Sequence, residues 1–252
     1  IRVLVVDDEA PICRAVSLAL QQAAYDVVTA RSGEAAYSLL KAEHFDILVL
    51  DLRIPDERGD VSGAVAAAPT PAVGARWTYR GREGFRSPLI WEETHEVTAA
   101  SAAGITVRVT AKGGWLDIQR QETFVAPGMV QTGALMDIET RRFAMPLERY
   151  RFPLAPGETW NQWVDNYNET TKREGRINRY VRVGGWEKVS TPAGEFDAIR
   201  MRVLMRLDDD EFWRYPTTCN YVIWYAPAVG APVREEKEAE YLERGDTLDG
   251  MG

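Results

Sequence analysis

The spacing of hydrophobic positions changes character once along this chain, near residue 75. Before that point two patterns alternate. "RVLVVDD" and "DILVLDL" are unbroken apolar runs closed by acids, the signature of strands buried on both faces of a parallel sheet. "APICRAVSLALQQAA" instead places Ile12, Val16, Ala19 and Leu20 along one helical stripe, with Pro11 suited to the opening turn. "YDVVTA" predicts another strand, and "SGEAAYSLLKAE" another helix with Ala36, Leu39 and Leu40 inward. Strand, helix, strand, helix, strand at this spacing predicts right-handed βαβ units and a parallel sheet in the order 2-1-3.

From Trp77 onward the period is two. "GITVRVTA" alternates Ile105, Val107 and Val109 with Thr106, Arg108 and Thr110, and "AIRMRVLMRL" sets Ile199, Met201, Val203, Met205 and Leu207 on one face. "CNYVIWYAP" divides Tyr221, Ile223 and Tyr225 from Val222 and Trp224. Such alternation marks antiparallel strands with one buried and one wetter face. Turn signals recur at "KGG" 112–114, "APG" 126–128 and 155–157, "GG" 184–185 and "TPAG" 191–194. The fold class is therefore α/β plus all-β, the second part a sandwich or half-open barrel of roughly eight to ten strands. Helix is scarce there, with "LERYRF" and "EAEYLER" as candidates.

Composition sharpens the division. All 8 tryptophans lie at or beyond Trp77, and residues 1–60 carry 6 basic against 11 acidic side chains. Residues 61–75 are small and Pro-punctuated, a predicted linker between 1–60 and a β domain at 76–245, with 246–252 as a tail. The net charge of −8 excludes nucleic-acid binding through a general basic surface. Cys13 and Cys219 read as separate free thiols. No apolar run has membrane-spanning length, and acids follow the first apolar run too soon for a secretion signal. The expected compartment is the cytoplasm.

The first segment carries candidate chemistry. The carboxyl ends of parallel strands form the site in such sheets. This brings Asp7 and Asp8, after the first strand, beside Asp51, after the third. Converging carboxylates repel unless a hard cation sits among them, and Mg²⁺ favours oxygen ligands of this kind. The cation would also neutralise a phosphoryl group arriving at Asp51. "VLVVDDE" and "LVLDLRIPDERG" together resemble the receiver domain of bacterial two-component response regulators. The resemblance implies a flavodoxin-like fold with Asp51 as phosphoacceptor. It also implies Mg²⁺ held by Asp7, Asp8, Asp51 and the backbone carbonyl of Arg53, and a sensor histidine kinase as partner. It further implies a Ser or Thr after a fourth strand and a Lys after a fifth, and "VSGAVAAAPTPAVG" continues neither. The expectation is a truncated receiver fragment with an impaired site. Its third strand would be an exposed apolar edge, available for a homodimer.

For the β segment the expectation is binding without catalysis. Arg200, Arg202 and Arg206 share a face, with Glu236, Glu238 and Glu240 as cross-strand partners should their strands be neighbours. Asp208 to Glu211 reads as a solvated hairpin tip. His44 and His95 are too few for a metal triad or a Ser/His/Asp set. Trp160, Trp163, Trp186, Trp213 and Trp224 are candidates to line a cavity for an apolar ligand. Residues 181–238, with "VRVGGWEKVSTPAGEFDAIRMRV" and "WYAPAVGAPVREEKE", resemble uncharacterised β-rich exported proteins of Gram-negative bacteria. That resemblance implies a periplasmic setting for this part. On this alternative the protein is an exported apolar-ligand-binding or envelope-assembly factor, its N-terminal segment a passenger or fusion, natural or artificial.

Overall fold

The computed structural model describes residues 1–7, 10–50, 64–83, 89–135, 138–209 and 215–241. The chain divides into two compact units, 1–60 and 61–252.

In the first unit β1 (Arg2–Val6), α1 (Ala10–Gln22), β2 (Asp26–Ala30), α2 (Gly33–Ala42) and β3 (Ile47–Leu50) follow one another. The sheet is parallel in the order β2-β1-β3, as the apolar runs predict. Central β1 is buried because it has a neighbour on each side and a helix on each face. Leu4 and Val6 pack with Ala30 and Ala36, while Val3 and Val5 pack with Cys13, Val16 and Leu20. The inward stripe of α1 thus starts at Cys13, and Ala19 faces out. On α2, Leu39 packs inward but Leu40 is exposed. Ser32 caps α2, its Oγ accepting from Ala35 N at 3.1 Å. Every residue of β3 is exposed, from Val49 at 38% to Leu50 at 48%, so this edge strand has the apolar sequence of a central one.

The second unit is a single antiparallel sheet of eleven strands in sequence order. They are β4 (Arg76–Glu83), β5 (Leu89–Ser101), β6 (Gly104–Gly113), β7 (Leu116–Ala126), β8 (Met129–Gly133) and β9 (Arg141–Glu148). There follow β10 (Thr159–Asn168), β11 (Arg173–Thr191), β12 (Gly194–Asp208), β13 (Thr217–Ala226) and β14 (Ala231–Glu240). The sheet curls into a nearly closed barrel, and Trp77 Nε1 on β4 donates to Val229 O, just before β14, at 2.8 Å. Its core is the inner face, where Ile177, Val181 and Val183 of β11 meet Ile199, Met201, Val203 and Met205 of β12 and Cys219, Tyr221 and Ile223 of β13. Of the predicted linker, residues 64–75 are held by this unit: Ala66 bridges Leu154, is buried, and Gly74 N donates to Val97 O at 2.8 Å. Cys13 and Cys219 are both free and buried.

The strand count exceeds the sequence expectation, and neither candidate helix forms among the described residues. Gly184 and Gly185 do not end a strand. The register of β11 against β12 shifts between Val183 and Trp186, so the pair makes a bulge inside one 19-residue strand. Gly128 does serve a turn. It has φ +81°, and a Cβ there would stand 2.4 Å from Tyr150 O. Gly128→Ala is expected to cost about 1–2 kcal/mol from the left-handed conformation alone, plus the clash, measured by urea unfolding. A neutral substitution would mean that the turn rearranges freely.

Candidate functional site at the rim of the parallel sheet

The parallel unit sets up its site through register. Val6, last in β1, pairs with Ala30 of β2 and Leu50 of β3, so the three strands end level. Asp7 directly follows Val6, and Asp51 directly follows Leu50 in sequence. Asp7 is buried, at 6% exposure, on a pinned backbone: its N–H donates to Ala30 O at 3.1 Å, and its carbonyl accepts from Cys13 Sγ at 3.2 Å. Asp8, Asp51 and Arg53 lie outside the described residues. Among the described residues no three acids, histidines or cysteines group as a metal site.

The tryptophans do not form one cavity. Trp160 is part of the main core, and its Nε1 donates to Glu148 O at 3.2 Å. Trp163 is 58% exposed, because three residues along a strand reverses the face. Trp186 packs at the margin of the core and donates to Ala64 O at 2.8 Å. Trp224 belongs to a separate cluster with Val189 and Ala198, its Nε1 donating to Glu187 Oε2 at 2.7 Å and its ring under Arg234. Trp213 is outside the described residues. The proposed Arg–Glu ladder also fails, because β13 stands between β12 and β14. Arg200 is 3.7 Å from Glu187 instead, and Glu236 pairs with Arg234. Asp209 is not at a solvated tip: it is buried and binds Arg141.

The sequence reading missed the buried polar groups of the barrel. Glu122 on β7 lies 3.1 Å from Arg120 Nε and 3.4 Å from Arg149 Nη1. Glu93 on β5 lies 2.5 Å from His95 Nε2 and 3.7 Å from Arg120. Burial alone would raise the pKa of Glu122, but Arg149, Arg120 and His95 outweigh it and hold the carboxyl below its ordinary value. Burial also pushes the phenols of Tyr79 and Tyr150 far up, so both stay neutral donors. A signal was present in the strand period. Arg120 and Glu122 fall in phase with Ile118 and Phe124, and Arg179 in phase with Ile177, Val181 and Val183. A charge in the apolar phase of a strand is a buried charge.

The level-ended βαβαβ sheet with an acid buried at its rim defines a receiver-type segment. Residues 3–62 match the response regulator receiver domain family. The chain is 46% identical over 54 residues to the transcriptional regulator ycf27 of Porphyridium aerugineum, spanning 21% of this chain and 22% of that protein. It is 41% identical over 58 residues to the alginate biosynthesis regulator AlgB of Pseudomonas putida, spanning 23% and 13%. The match therefore covers less than a quarter of either relative. The chain is also similar in structure to a Bacteroides fragilis protein with a YmcC-like fold, described as exported. The TM-score is 0.46 at 15% identity, over 69% of this chain and 92% of that one.

Proposed function

We propose that residues 1–60 act as a phosphorelay receiver segment of reduced competence, and that the β unit is a non-catalytic binding module. The supporting observation is the pairing of Val6 with Leu50, the residues that directly precede Asp7 and Asp51 in sequence. Asp51 accepts the phosphoryl group from a sensor histidine kinase. Asp7, Asp8 and Asp51, with the carbonyl of Arg53, would hold Mg²⁺, which supplies charge neutralisation during transfer. Competence is reduced because residues 64–83 and 89–135 enter the antiparallel sheet or its margin. They supply no fourth and fifth parallel strands, and so neither the Ser or Thr nor the Lys that the receiver resemblance implies.

The test is fluorine NMR of the full chain with Mg²⁺ and beryllofluoride. A bound fluoride resonance should appear, require both Mg²⁺ and Asp51, and vanish in Asp51→Asn. No bound resonance at saturating beryllofluoride, or one that survives Asp51→Asn, would refute the assignment.

A further inference from the structure

Arg179 is a buried cation that its surroundings leave incompletely paired. It lies on β11 between Ile177 and Val181 in the inward phase and is 2% exposed. Guanidinium carries five N–H donors. Nη1 donates to Glu148 O at 2.9 Å, and that carbonyl also accepts from Trp160 Nε1 at 3.2 Å. Among the described residues no carboxylate forms an ion pair with it. Its neighbours differ in this respect: Arg120 and Arg149 meet Glu122, and Lys237 lies 2.7 Å from Glu235. Burial pushes the Arg179 pKa down to about 10, with Tyr150, Tyr221 and, more weakly, the Glu235 carboxylate favouring its charge and Arg149 opposing it. It is therefore charged at neutral pH. A buried, singly bonded guanidinium is costly, and fully buried arginines are otherwise found paired.

We propose that Arg179 is the anchor of a binding site for a monocarboxylate on the inner face of the β barrel. A carboxylate matches the planar fork with two parallel hydrogen bonds and cancels the charge where it is buried. The Tyr150 phenol, kept neutral by burial, is a hydrogen-bond donor that interacts electrostatically with Arg179. Ile177 and Val181 flank Arg179 along β11 and Met205 pairs with it on β12, all three fully buried in the apolar core. The carboxylate is either a small free acid or the head of an amphiphile. This site deepens the reading of the β unit as a binding module and does not depend on Asp51.

Urea unfolding of the full chain, followed by tryptophan emission, reports on the β unit alone, since all 8 tryptophans lie at or beyond Trp77. Acetate, decanoate and decanol serve as probes. For a single site, each tenfold rise in ligand well above its Kd should raise the folding equilibrium constant about tenfold. Arg179→Met, which keeps the volume without the charge, should abolish that dependence. Equal action of acetate and decanoate identifies a free carboxylate. Action of decanoate at far lower concentration, with decanol inert, identifies an amphiphile. Carboxyl-labelled acetate and decanoate observed by carbon NMR on the unsubstituted chain give the same answer should the variant not fold. No carboxylate effect by either method overturns the site. A carboxylate that stabilises the parent and Arg179→Met alike also overturns it, while leaving the β unit a binding module.

Discussion

Arg141→Ala should cost the β unit about 3–5 kcal/mol, the range for breaking one side of a buried ion pair. Arg141 opens β9 and is among the largest fully buried side chains. Its guanidinium bridges three segments. Nη1 pairs with Asp209 Oδ1 and reaches Asn166 Oδ1 at 3.3 Å, while Nη2 meets Asp209 Oδ2 at 3.1 Å and Glu139 Oε2 at 2.7 Å. Asn168 Nδ2 donates to the same Glu139 oxygen at 2.6 Å. The approach to β9, the end of β10 and the end of β12 are thus joined through one cation. Truncation takes the Arg141 guanidinium away from the buried Asp209 carboxylate. Arg141→Met with Asp209→Leu should cost less than Arg141→Ala, because the buried Asp209 carboxylate leaves together with the guanidinium and only the partly exposed Glu139 loses its cation. Urea unfolding of the three proteins measures both differences. A loss under about 1 kcal/mol for Arg141→Ala, the scale of an exposed pair, would show that the cluster is solvated rather than buried.

Removing Glu122 should be comparably severe, and it carries a pH signature. Its side chain is 2% exposed between two arginines, so Glu122→Ala takes the shared carboxylate from Arg149 and leaves Arg120 only its 3.7 Å approach to Glu93, and should cost about 3–5 kcal/mol. Because its folded pKa lies below the ordinary 4.5, its contribution is complete above that value and is lost as pH falls through the lowered one. Glu93 shifts in the same direction: burial opposes, and the His95 contact and Arg120 prevail. Parent stability should therefore decline steeply below about pH 4.5. Glu122→Gln should start lower at neutral pH and decline less steeply. Parallel acid limbs in the two proteins would show that Glu122 is not ionised in the native state.

Both substitutions act on residues that the sequence reading passed over, and the reason is specific. Period analysis sorts positions by hydrophobicity, so it recovers β12, where every second residue is apolar, without difficulty. It is blind to a strand such as β7, whose inward phase contains Arg120 and Glu122 between apolar residues. The parallel unit was readable almost to the residue because its strands are uniformly apolar and its acids terminate them. The glycine pair at 184–185 misled because a bulge and a turn demand the same backbone freedom. The tryptophan cavity failed through parity, since Trp160 and Trp163 are an odd number of residues apart. The Arg–Glu ladder failed because charge pattern alone does not fix strand order.

Strand number has a topological consequence for the barrel. With eleven strands joined only by antiparallel pairings, β4 and β14 run in the same direction. Were the two margins to meet along their length, the closing ladder would have to be parallel, unlike every other pairing in the sheet. Arg80 and Arg82 line one margin, Glu238 and Glu240 the other. Two copies meeting through identical margins would oppose like charges, whereas a single molecule zipped shut would match unlike ones. Charge therefore disfavours association of two copies through like margins, and parity makes any full closure of the sheet on itself a parallel seam.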